Sequence, residues 1–339
     1  LFPPVRRLLA NLVVKHVKKM VPAWRLPGSV GWRDALAAGG KQALDVVPLN
    51  HDDLAFLQYT GGTTGVAKGA QLSHGNMVAN VLQVGAWMSP NLLEGKETLI
   101  LPLPMYHVFA LTGALSFFSQ GAQAVLVANP RDMPDFLKVI GGVRFTAIIG
   151  VNTLFRSMLD APGFAAIDLR SLKLAVAGGM AVQQVVAHRW KERAGVPLVE
   201  GYGLTETEPV AIANPVTIQE WSGKIGVPLP STEAAILDDD GGPIPLGEVG
   251  EICLRGPQVM KGYWKQPEET AKVFTPNGWL RTGDMGVMDA RGSIRITDRK
   301  KDMIIVRYSV NPHCTDPAAT AATSFVIRNR LSHLQWRRP

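Results

Sequence analysis

Through the first two thirds of the chain, short apolar runs alternate with segments in which apolar residues recur at helical spacing. The runs that predict buried strands are residues 98–103, 124–128, 145–149 and 172–177. Between or after these runs, apolar residues recur at helical spacing near residues 132–141, 151–160 and 181–194. Because strands that alternate with helices form sheets with helices on their faces, this pattern predicts an α/β layered sheet.

The pattern changes after about residue 220, where turns rich in Asp, Asn and Gly separate short apolar runs. These runs are residues 234–237, 250–255 and 293–297. Such spacing predicts a β-rich, barrel-like subdomain. The predicted organisation is an α/β part over residues 1–220, a β-rich part over 221–297, a charged hinge over 298–306 and a divergent tail over 307–339.

Composition is that of an ordinary folded protein, with 46% hydrophobic and 19% charged residues, which excludes a disordered chain. The two cysteines are far apart and fit a reducing compartment. The net charge of +7 is concentrated at the ends, since residues 1–26 hold six Lys/Arg and no acid, and residues 307–339 hold five arginines and one aspartate. The remainder is net acidic, so no nucleic-acid partner is expected.

The first segment predicts a basic amphipathic helix, with apolar residues at helical spacing over residues 4–21. Such a helix either contacts an anionic membrane or packs on its own domain with the cationic face in solvent. The uncharged run 108–130 is interrupted at Ser119-Gln120-Gly121, so it predicts a buried helix and a strand rather than a membrane span. We expect a cytoplasmic protein, with peripheral contact at the inner face of the membrane as the open alternative.

One stretch has the chemistry of a polyphosphate cradle: Tyr59-Thr60-Gly61-Gly62-Thr63-Thr64-Gly65-Val66-Ala67-Lys68-Gly69-Ala70. Glycines let backbone N–H groups turn toward an anion, threonine hydroxyls add donors, and the lysine adds a point charge. A Walker A loop does not align, because Ala67 precedes Lys68 and Gly69 follows it. A glycine-rich surface turn is the alternative. Ser73 is the expected N-cap of a helix that begins beside this stretch.

Two later segments contain candidate ligand-binding groups. In Glu200-Gly201-Tyr202-Gly203-Leu204-Thr205-Glu206, a tyrosine between glycines can stack on a flat base. Glu206 suits Mg²⁺, which prefers one or two carboxylates plus phosphate oxygens, although a carboxylate at a helix start is the simpler explanation. Asp284 follows a turn glycine and can accept from a ribose diol, but Thr282-Gly283-Asp284 is also an ordinary turn. The charged run 298–302 predicts a hinge or a solvated loop.

These blocks, in this order, resemble the adenylate-forming superfamily of acyl-CoA synthetases, luciferases and peptide-synthetase adenylation domains. The stretch 57–70, with Val259-Met260-Lys261-Gly262-Tyr263-Trp264 and Gly150-Val151-Asn152-Thr153-Leu154-Phe155, is similar to bacterial long-chain-fatty-acid–CoA ligases in particular. The resemblance covers residues 1–306, approximately. It implies layered α/β sheets plus a β-rich subdomain, with fatty acid, ATP and coenzyme A as substrates and Mg²⁺ as cofactor. A fatty carboxylate would attack the α-phosphate of ATP, and the thiol of coenzyme A would then displace AMP.

The resemblance also implies residue roles. The β- and γ-phosphates would be held by Thr60, Gly61, Gly62, Thr63, Thr64, Gly65 and Lys68. The adenine pocket would be lined by Gly178, Gly179, Met180, Glu200, Gly201, Tyr202 and Gly203. Thr205 would meet the α-phosphate, Glu206 would bind Mg²⁺, and Asp284 would take the ribose hydroxyls. Arg299 would contact the nucleotide from the hinge, and Lys301 would be the pivot of the lid. His107 matches a position beside the acyl and adenylate site, with a satisfied core histidine as the alternative.

The resemblance ends after the hinge. The family continues with a Ser-Gly-x-Asn-x-x-Pro segment and a lid domain, whereas Arg307-Tyr308-Ser309 follows here and no lysine comes after Lys301. We expect the catalytic lysine of the lid to be missing, a loss that typically costs on the order of 10²–10³ in rate. A missing portion before Leu1 is expected as well.

The expected protein is therefore an incomplete ligase that binds ATP and Mg²⁺ weakly and forms acyl-AMP slowly or not detectably. The alternatives are a nucleotide-binding remnant without catalysis and a relative that activates another acid or serves a carrier protein. The sequence sets neither the acyl chain length nor the assembly, for which a homodimer is the candidate.

Overall fold

The computed structural model describes residues 3–23, 25–60, 67–299 and, for the backbone alone, 327–328. The chain divides into two compact units, Leu1–Leu49 and Asn50–Pro339. Within the described residues, no helix is both long and apolar enough to span a bilayer.

The first unit contains two helices. Helix α1 (Pro4–Leu12) starts with a proline in its first turn, where the missing N–H is no loss, and a π-helical turn (Val13–Val17) continues it. Helix α2 (Trp32–Gly39) has no buried residue. The apolar side chains of α1 are exposed too, with Val5 at 70% and Leu8 at 62%. The predicted amphipathic helix is thus confirmed as far as Val17, with an apolar face in contact with solvent.

The second unit begins with an antiparallel hairpin of β1 (Leu54–Thr60) and β2 (Lys68–Ser73), in which Thr60 pairs with Lys68. Helix α3 (His74–Met88) follows directly, and a capping box is present at its N-terminus. Ser73 Oγ accepts from the N–H of Asn76 at 3.2 Å, and Asn76 Oδ1 accepts from the N–H of Ser73 at 2.9 Å. Ser73 is the N-cap that the sequence predicts.

A seven-stranded sheet forms the centre of this unit, with strand order β4-β3-β5-β6-β7-β8-β9. Its strands are β3 (Thr98–Leu101), β4 (Gln123–Leu126), β5 (Ala147–Gly150), β6 (Leu174–Ala177), β7 (Leu198–Gly203), β8 (Val210–Ala213) and β9 (Val227–Pro228). Its helices, besides α3, are α4 (Val108–Ser119), α5 (Met133–Gly141), α6 (Asn152–Asp160) and α7 (Gln184–Ala194). Strands β3 to β7 pair in parallel, and β8 and β9 complete the sheet antiparallel.

Apolar cores lie on both faces of this sheet, because successive side chains of a strand point to opposite faces. Ile100 packs into one core, while Leu99 packs into the other. In the first core Phe155 meets Trp190 edge to face, with ring centroids 4.7 Å apart. The predicted α/β layered architecture is confirmed.

A five-stranded antiparallel sheet follows, with order β13-β12-β11-β10-β14. Its strands are β10 (Glu233–Leu237), β11 (Gly250–Arg255), β12 (Leu280–Met288), β13 (Ile294–Arg299) and β14 (Ile327–Arg328), with α8 (Pro267–Val273) between β11 and β12. From β10 to β13, consecutive strands are neighbours, as in a meander. This sheet matters for the site because β12 and β13 place Asp284 opposite Arg299.

Candidate active site

Glycine-rich loops leave the carboxyl ends of the parallel strands β6 and β7. Ligands of open α/β sheets bind at such ends. Gly178 and Gly179 follow β6 directly, and Gly179 has φ +74°, a left-handed conformation that favours glycine. The N–H of Gly178 donates to the carbonyl of Gly150 at 3.1 Å. This hydrogen bond holds the loop that follows β6 against the end of β5.

Glu200 on β7 holds the same loop from the other side. Its Oε1 accepts from the N–H of Val182 at 3.1 Å. Burial raises the pKa of Glu200 to about 7. Glu200 lies outside the lining of the adjacent cavity, as does Met180, which is 47% exposed. In this geometry Glu200 supports the loop that the sequence assigns to the adenine pocket.

A cavity of about 240 Å³ opens beside the loops. One part of its lining comes from the glycine-rich loops and exposes backbone groups. It consists of Gly178, Gly179, Gly201, Tyr202, Gly203, Leu204 and Thr205. The other part is apolar and includes Val84, Trp87, Phe117, Ile149 and Val176. The indole N–H of Trp87 donates to the carbonyl of Asn214 at 3.0 Å, which fixes that ring in the wall. The glycine-rich loops and the apolar side chains therefore face one continuous space.

His107 lines this cavity and is the N-cap of α4. Its Nδ1 accepts from the N–H of Phe109 at 3.2 Å, which leaves Nε2 as the protonated nitrogen of the neutral ring. Burial lowers the pKa of His107, so the neutral form is favoured at pH 7. A neutral imidazole N–H is a suitable donor to a carboxylate or phosphate oxygen.

The β-rich sheet brings Asp284 and Arg299 to Tyr202. The Tyr202 hydroxyl donates to Asp284 Oδ2 at 2.7 Å, and Arg299 Nε lies 3.4 Å from Asp284 Oδ1. Burial and the Asp284 carboxylate raise the pKa of the Tyr202 phenol. The structure thus joins three of the predicted nucleotide contacts, which are far apart in the sequence.

Lys68 and Glu206, which the sequence assigns to phosphate and metal binding, share contacts with Tyr263. Thr60 and Lys68 flank the predicted phosphate loop, while Gly61, Gly62, Thr63, Thr64 and Gly65 lie outside the described residues, as does Lys301. Lys68 forms an ion pair with Glu269, and its Nζ lies 5.2 Å from the centroid of the Tyr263 ring. The Tyr263 hydroxyl donates to Glu206 Oε1 at 2.6 Å. Burial and the Glu206 carboxylate raise the pKa of that phenol.

The donor set at Glu206 fits Mg²⁺ that is bound together with phosphates. Among the described residues, no group of three or more His, Cys, Asp and Glu side chains could hold a metal ion alone. Mg²⁺ in nucleotide sites typically uses one or two carboxylates and takes its other oxygens from phosphates and water. Because Tyr263 engages only one lone pair of Glu206, the carboxylate keeps acceptor sites for such an ion.

Comparison with known proteins identifies the family. The family model described as AMP-binding enzyme matches residues 6–264. The chain belongs to the AMP-binding enzyme family. The resemblance found in the motifs is thereby confirmed.

Related proteins extend this result. The chain is 51% identical over 307 residues to the long-chain-fatty-acid–CoA ligase of Escherichia coli O6:H1, covering 90% of this chain and 54% of that protein. It is 48% identical over 312 residues to the ligase of the same name from Haemophilus influenzae, covering 91% and 55%. The crystal structure of ATP-bound MatB from Rhodopseudomonas palustris superposes with a TM-score of 0.70 and 31% identity, covering 80% of this chain and 54% of that one. The chain thus spans about half the length of the curated relatives it matches.

No role was predicted from the sequence for Tyr263, Glu269 or Glu208. Tyr263 stands in the Gly262-Tyr263-Trp264 motif that contributes to the resemblance, but its partners Lys68 and Glu206 come from distant segments. The three residues before Glu208, residues 205–207, also carry hydroxyl or carboxylate groups. Nothing in the sequence indicates which of these four side chains is buried.

Glu208 is fully buried at 0% exposure. Within the described residues, neither carboxylate oxygen has a hydrogen-bond partner, while Thr112 Oγ1 donates to its backbone carbonyl at 3.0 Å. Burial raises the pKa of Glu208 to about 8. The folded protein therefore keeps this proton between about pH 4.5 and 8, where the unfolded chain loses it. Stability from this group is present at low pH and declines as the pH rises through that window.

Replacing Glu208 with glutamine should remove this decline. From pH 5 to pH 8 we expect the free energy of unfolding of Glu208→Gln, relative to that of the wild type, to rise by about 3–4 kcal/mol. Urea unfolding at several pH values measures the difference. Glu248→Gln, at an exposed carboxylate, is the matched control and should follow the wild type. Parallel pH profiles for Glu208→Gln and wild type would show that Glu208 is ionised in the folded state.

Proposed function

We propose that this chain forms the nucleotide- and acyl-binding part of an ATP-dependent long-chain-fatty-acid–CoA ligase. The observation that supports this most directly is the cavity in which glycine-rich loops and apolar side chains share one space. A nucleotide alone needs only the polar part of that lining. A fatty acyl chain accounts for the apolar part, where Trp87, Phe117 and Ile149 offer a surface without charge.

The chemistry requires two anions to meet. In the first step a carboxylate oxygen of the fatty acid bonds to the α-phosphorus of ATP, and the bond from that phosphorus to the pyrophosphate oxygen breaks. In the second step the thiol sulfur of coenzyme A bonds to the acyl carbon, and AMP leaves. Positioning and charge stabilisation supply most of the catalysis in phosphate chemistry of this kind. Bound Mg²⁺ would neutralise phosphate charge.

The side chains that we assign to these steps include two that line the cavity. Thr205 and His107 would donate to the α-phosphate and the reacting carboxylate. Lys68, with Thr60 and the loop 61–65, would hold the β- and γ-phosphates. Glu206 would bind the metal. Asp284 and Arg299 would fix the ribose, with Tyr202 against the base.

The segment after β13 belongs to the same proposal. We assign residues 298–306 to the hinge, with Lys301 as its pivot, and residues 221–297 to a β-rich subdomain next to the α/β part. Arg299 would then connect the hinge to the nucleotide through Asp284, its partner at 3.4 Å.

Binding of an acyl-adenylate mimic tests this function without depending on turnover. A nonhydrolysable palmitoyl sulfamoyl adenosine should displace a fluorescent ATP analogue at lower concentration than ATP does, and the acetyl form should be much weaker. Tighter binding of an aminoacyl or aryl form would favour a relative that acts on another acid. Displacement by ATP with no preference among acyl forms would indicate a nucleotide-binding remnant.

We also propose that α1 contacts anionic membrane lipid on the cytoplasmic face. The exposed apolar residues of α1, such as Val5 and Leu8, stand beside Arg6 and Arg7, a pairing typical of interfacial helices. The chain should co-sediment with phosphatidylglycerol vesicles and not with phosphatidylcholine vesicles. Replacing Arg6 and Arg7 with glutamate should abolish that binding, and unchanged co-sedimentation would refute the contact.

A further inference from the structure

Tyr263 touches both charged groups on the phosphate side of the site. Its hydroxyl donates to Glu206 Oε1 at 2.6 Å, and its ring centroid lies 5.2 Å from Lys68 Nζ. The side chain is only 6% exposed and packs in a cluster with Ala70 and Leu72. One rigid aromatic ring therefore lies between the lysine beside the phosphate loop and the carboxylate assigned to the metal.

The backbone around Tyr263 is fixed on two sides. On the hairpin side, the N–H of Trp264 donates to the carbonyl of Gly69 at 2.8 Å, and the N–H of Gln71 donates to the carbonyl of Gly262 at 2.9 Å. On the other side, the N–H of Met260 donates to the carbonyl of Glu206 at 2.9 Å. The segment 260–264 thus connects strand β2 to the turn that contains Glu206.

We propose that Tyr263 is a positioning residue that sets the Glu206 carboxylate for metal binding and aligns it with Lys68. This inference rests on the proposed function, because it concerns the same nucleotide site. A phenol that donates to one carboxylate oxygen restricts the rotation of that carboxylate and directs its remaining lone pairs. Groups that hydrogen-bond to a metal ligand typically contribute 10–100-fold to metal affinity.

Glu269 and Tyr263 contact Lys68 in different ways. The Lys68–Glu269 ion pair is partly exposed, with the Glu269 side chain at 30%, and exposed pairs contribute little. A triphosphate can replace Glu269 as the partner of the ammonium group. The contact with the Tyr263 ring does not compete with phosphate, since the ring offers its face and no anion. Tyr263 remains beside Lys68 through that exchange.

Tyr263→Phe tests the inference, because it keeps the ring and removes only the hydroxyl. The measured quantity is the dissociation constant of a fluorescent ATP analogue across a Mg²⁺ titration. We expect the variant to need about 10-fold more Mg²⁺ for half-maximal tightening of nucleotide binding. Its affinity for the nucleotide without Mg²⁺ and its melting temperature should match the wild type. Tyr106→Phe, at a residue that is 80% exposed, is the matched control.

The outcomes separate this inference from the proposed function. An unchanged Mg²⁺ dependence in Tyr263→Phe overturns the positioning role, provided that the wild type binds the nucleotide. An equal loss of affinity with and without Mg²⁺, together with a lower melting temperature, also overturns it, because that result indicates packing alone. A wild-type chain that binds no nucleotide at any Mg²⁺ concentration overturns the proposed function and this inference together.

Discussion

Replacing Gly201 with leucine is expected to weaken nucleotide binding by about 100-fold, or about 2.7 kcal/mol, while the chain stays folded. Gly201 lines the cavity, and a Cβ built on it would meet no protein atom within 4 Å. A side chain there would therefore enter the space that we assign to the ligand without clashing with the fold. Titration with the fluorescent ATP analogue measures the first effect, and thermal unfolding measures the second.

Gly203 provides the contrast, two residues further along the same strand. A Cβ on Gly203 would lie 1.5 Å from the carbonyl oxygen of Pro209, a distance that no atom pair tolerates. Gly203→Ala should therefore lower the melting temperature sharply, whereas Gly201→Leu should not. If Gly201→Leu bound the nucleotide as well as the wild type does, the ligand would lie elsewhere and the assignment of this cavity would be wrong.

Replacing Glu206 with glutamine is expected to remove the tightening of ATP binding by Mg²⁺. Loss of a group that hydrogen-bonds to a metal ligand typically lowers metal affinity 10–100-fold. Loss of the carboxylate ligand itself should lower it by at least as much. The amide oxygen can still accept from Tyr263, whose hydroxyl lies 2.6 Å from Oε1 in the wild type, so the fold should be preserved. Equilibrium binding of ATP in saturating Mg²⁺ and in chelator gives the two affinities whose ratio is compared.

Glu269→Gln is the matched control for that change. The carboxylate of Glu269 pairs with Lys68 and Lys272 and is not in contact with Glu206. Its replacement should leave the Mg²⁺ effect intact. A Glu206→Gln variant that responds to Mg²⁺ as strongly as Glu269→Gln does would exclude Glu206 as the metal ligand.

The regular elements could be predicted from sequence because their periodicity is local. The helices predicted near 132–141 and 151–160 appear as Met133–Gly141 and Asn152–Asp160. Strand β3 ends at Leu101 instead of at residue 103, since Pro102 has no N–H to donate to a neighbouring strand. At this strand a single residue without an N–H moved the boundary, while the type and order of these elements were predicted correctly.

The contacts of the site depend on distant segments and could be predicted only in part. The motifs indicated Tyr202, Asp284 and Arg299 separately, and the register between β12 and β13 makes them one group. The sequence did not indicate the contacts of Tyr263, because both of its partners come from distant segments and meet it only in the folded chain. The apolar wall around Trp87 was equally hidden, since it forms only when α3 and α4 pack beside the sheet.

The hydrogen bond between Tyr202 and Asp284 has a consequence for the choice of base. With its hydroxyl engaged at 2.7 Å, Tyr202 offers a purine only the flat face of a ring, and stacking of that kind does not distinguish adenine from guanine. In the proposed site, a preference for ATP over GTP would then depend on groups other than this ring, such as the backbone amides and carbonyls of the loops around Gly178 and Gly201. Selectivity of this origin would tolerate wide sequence drift in the surrounding side chains.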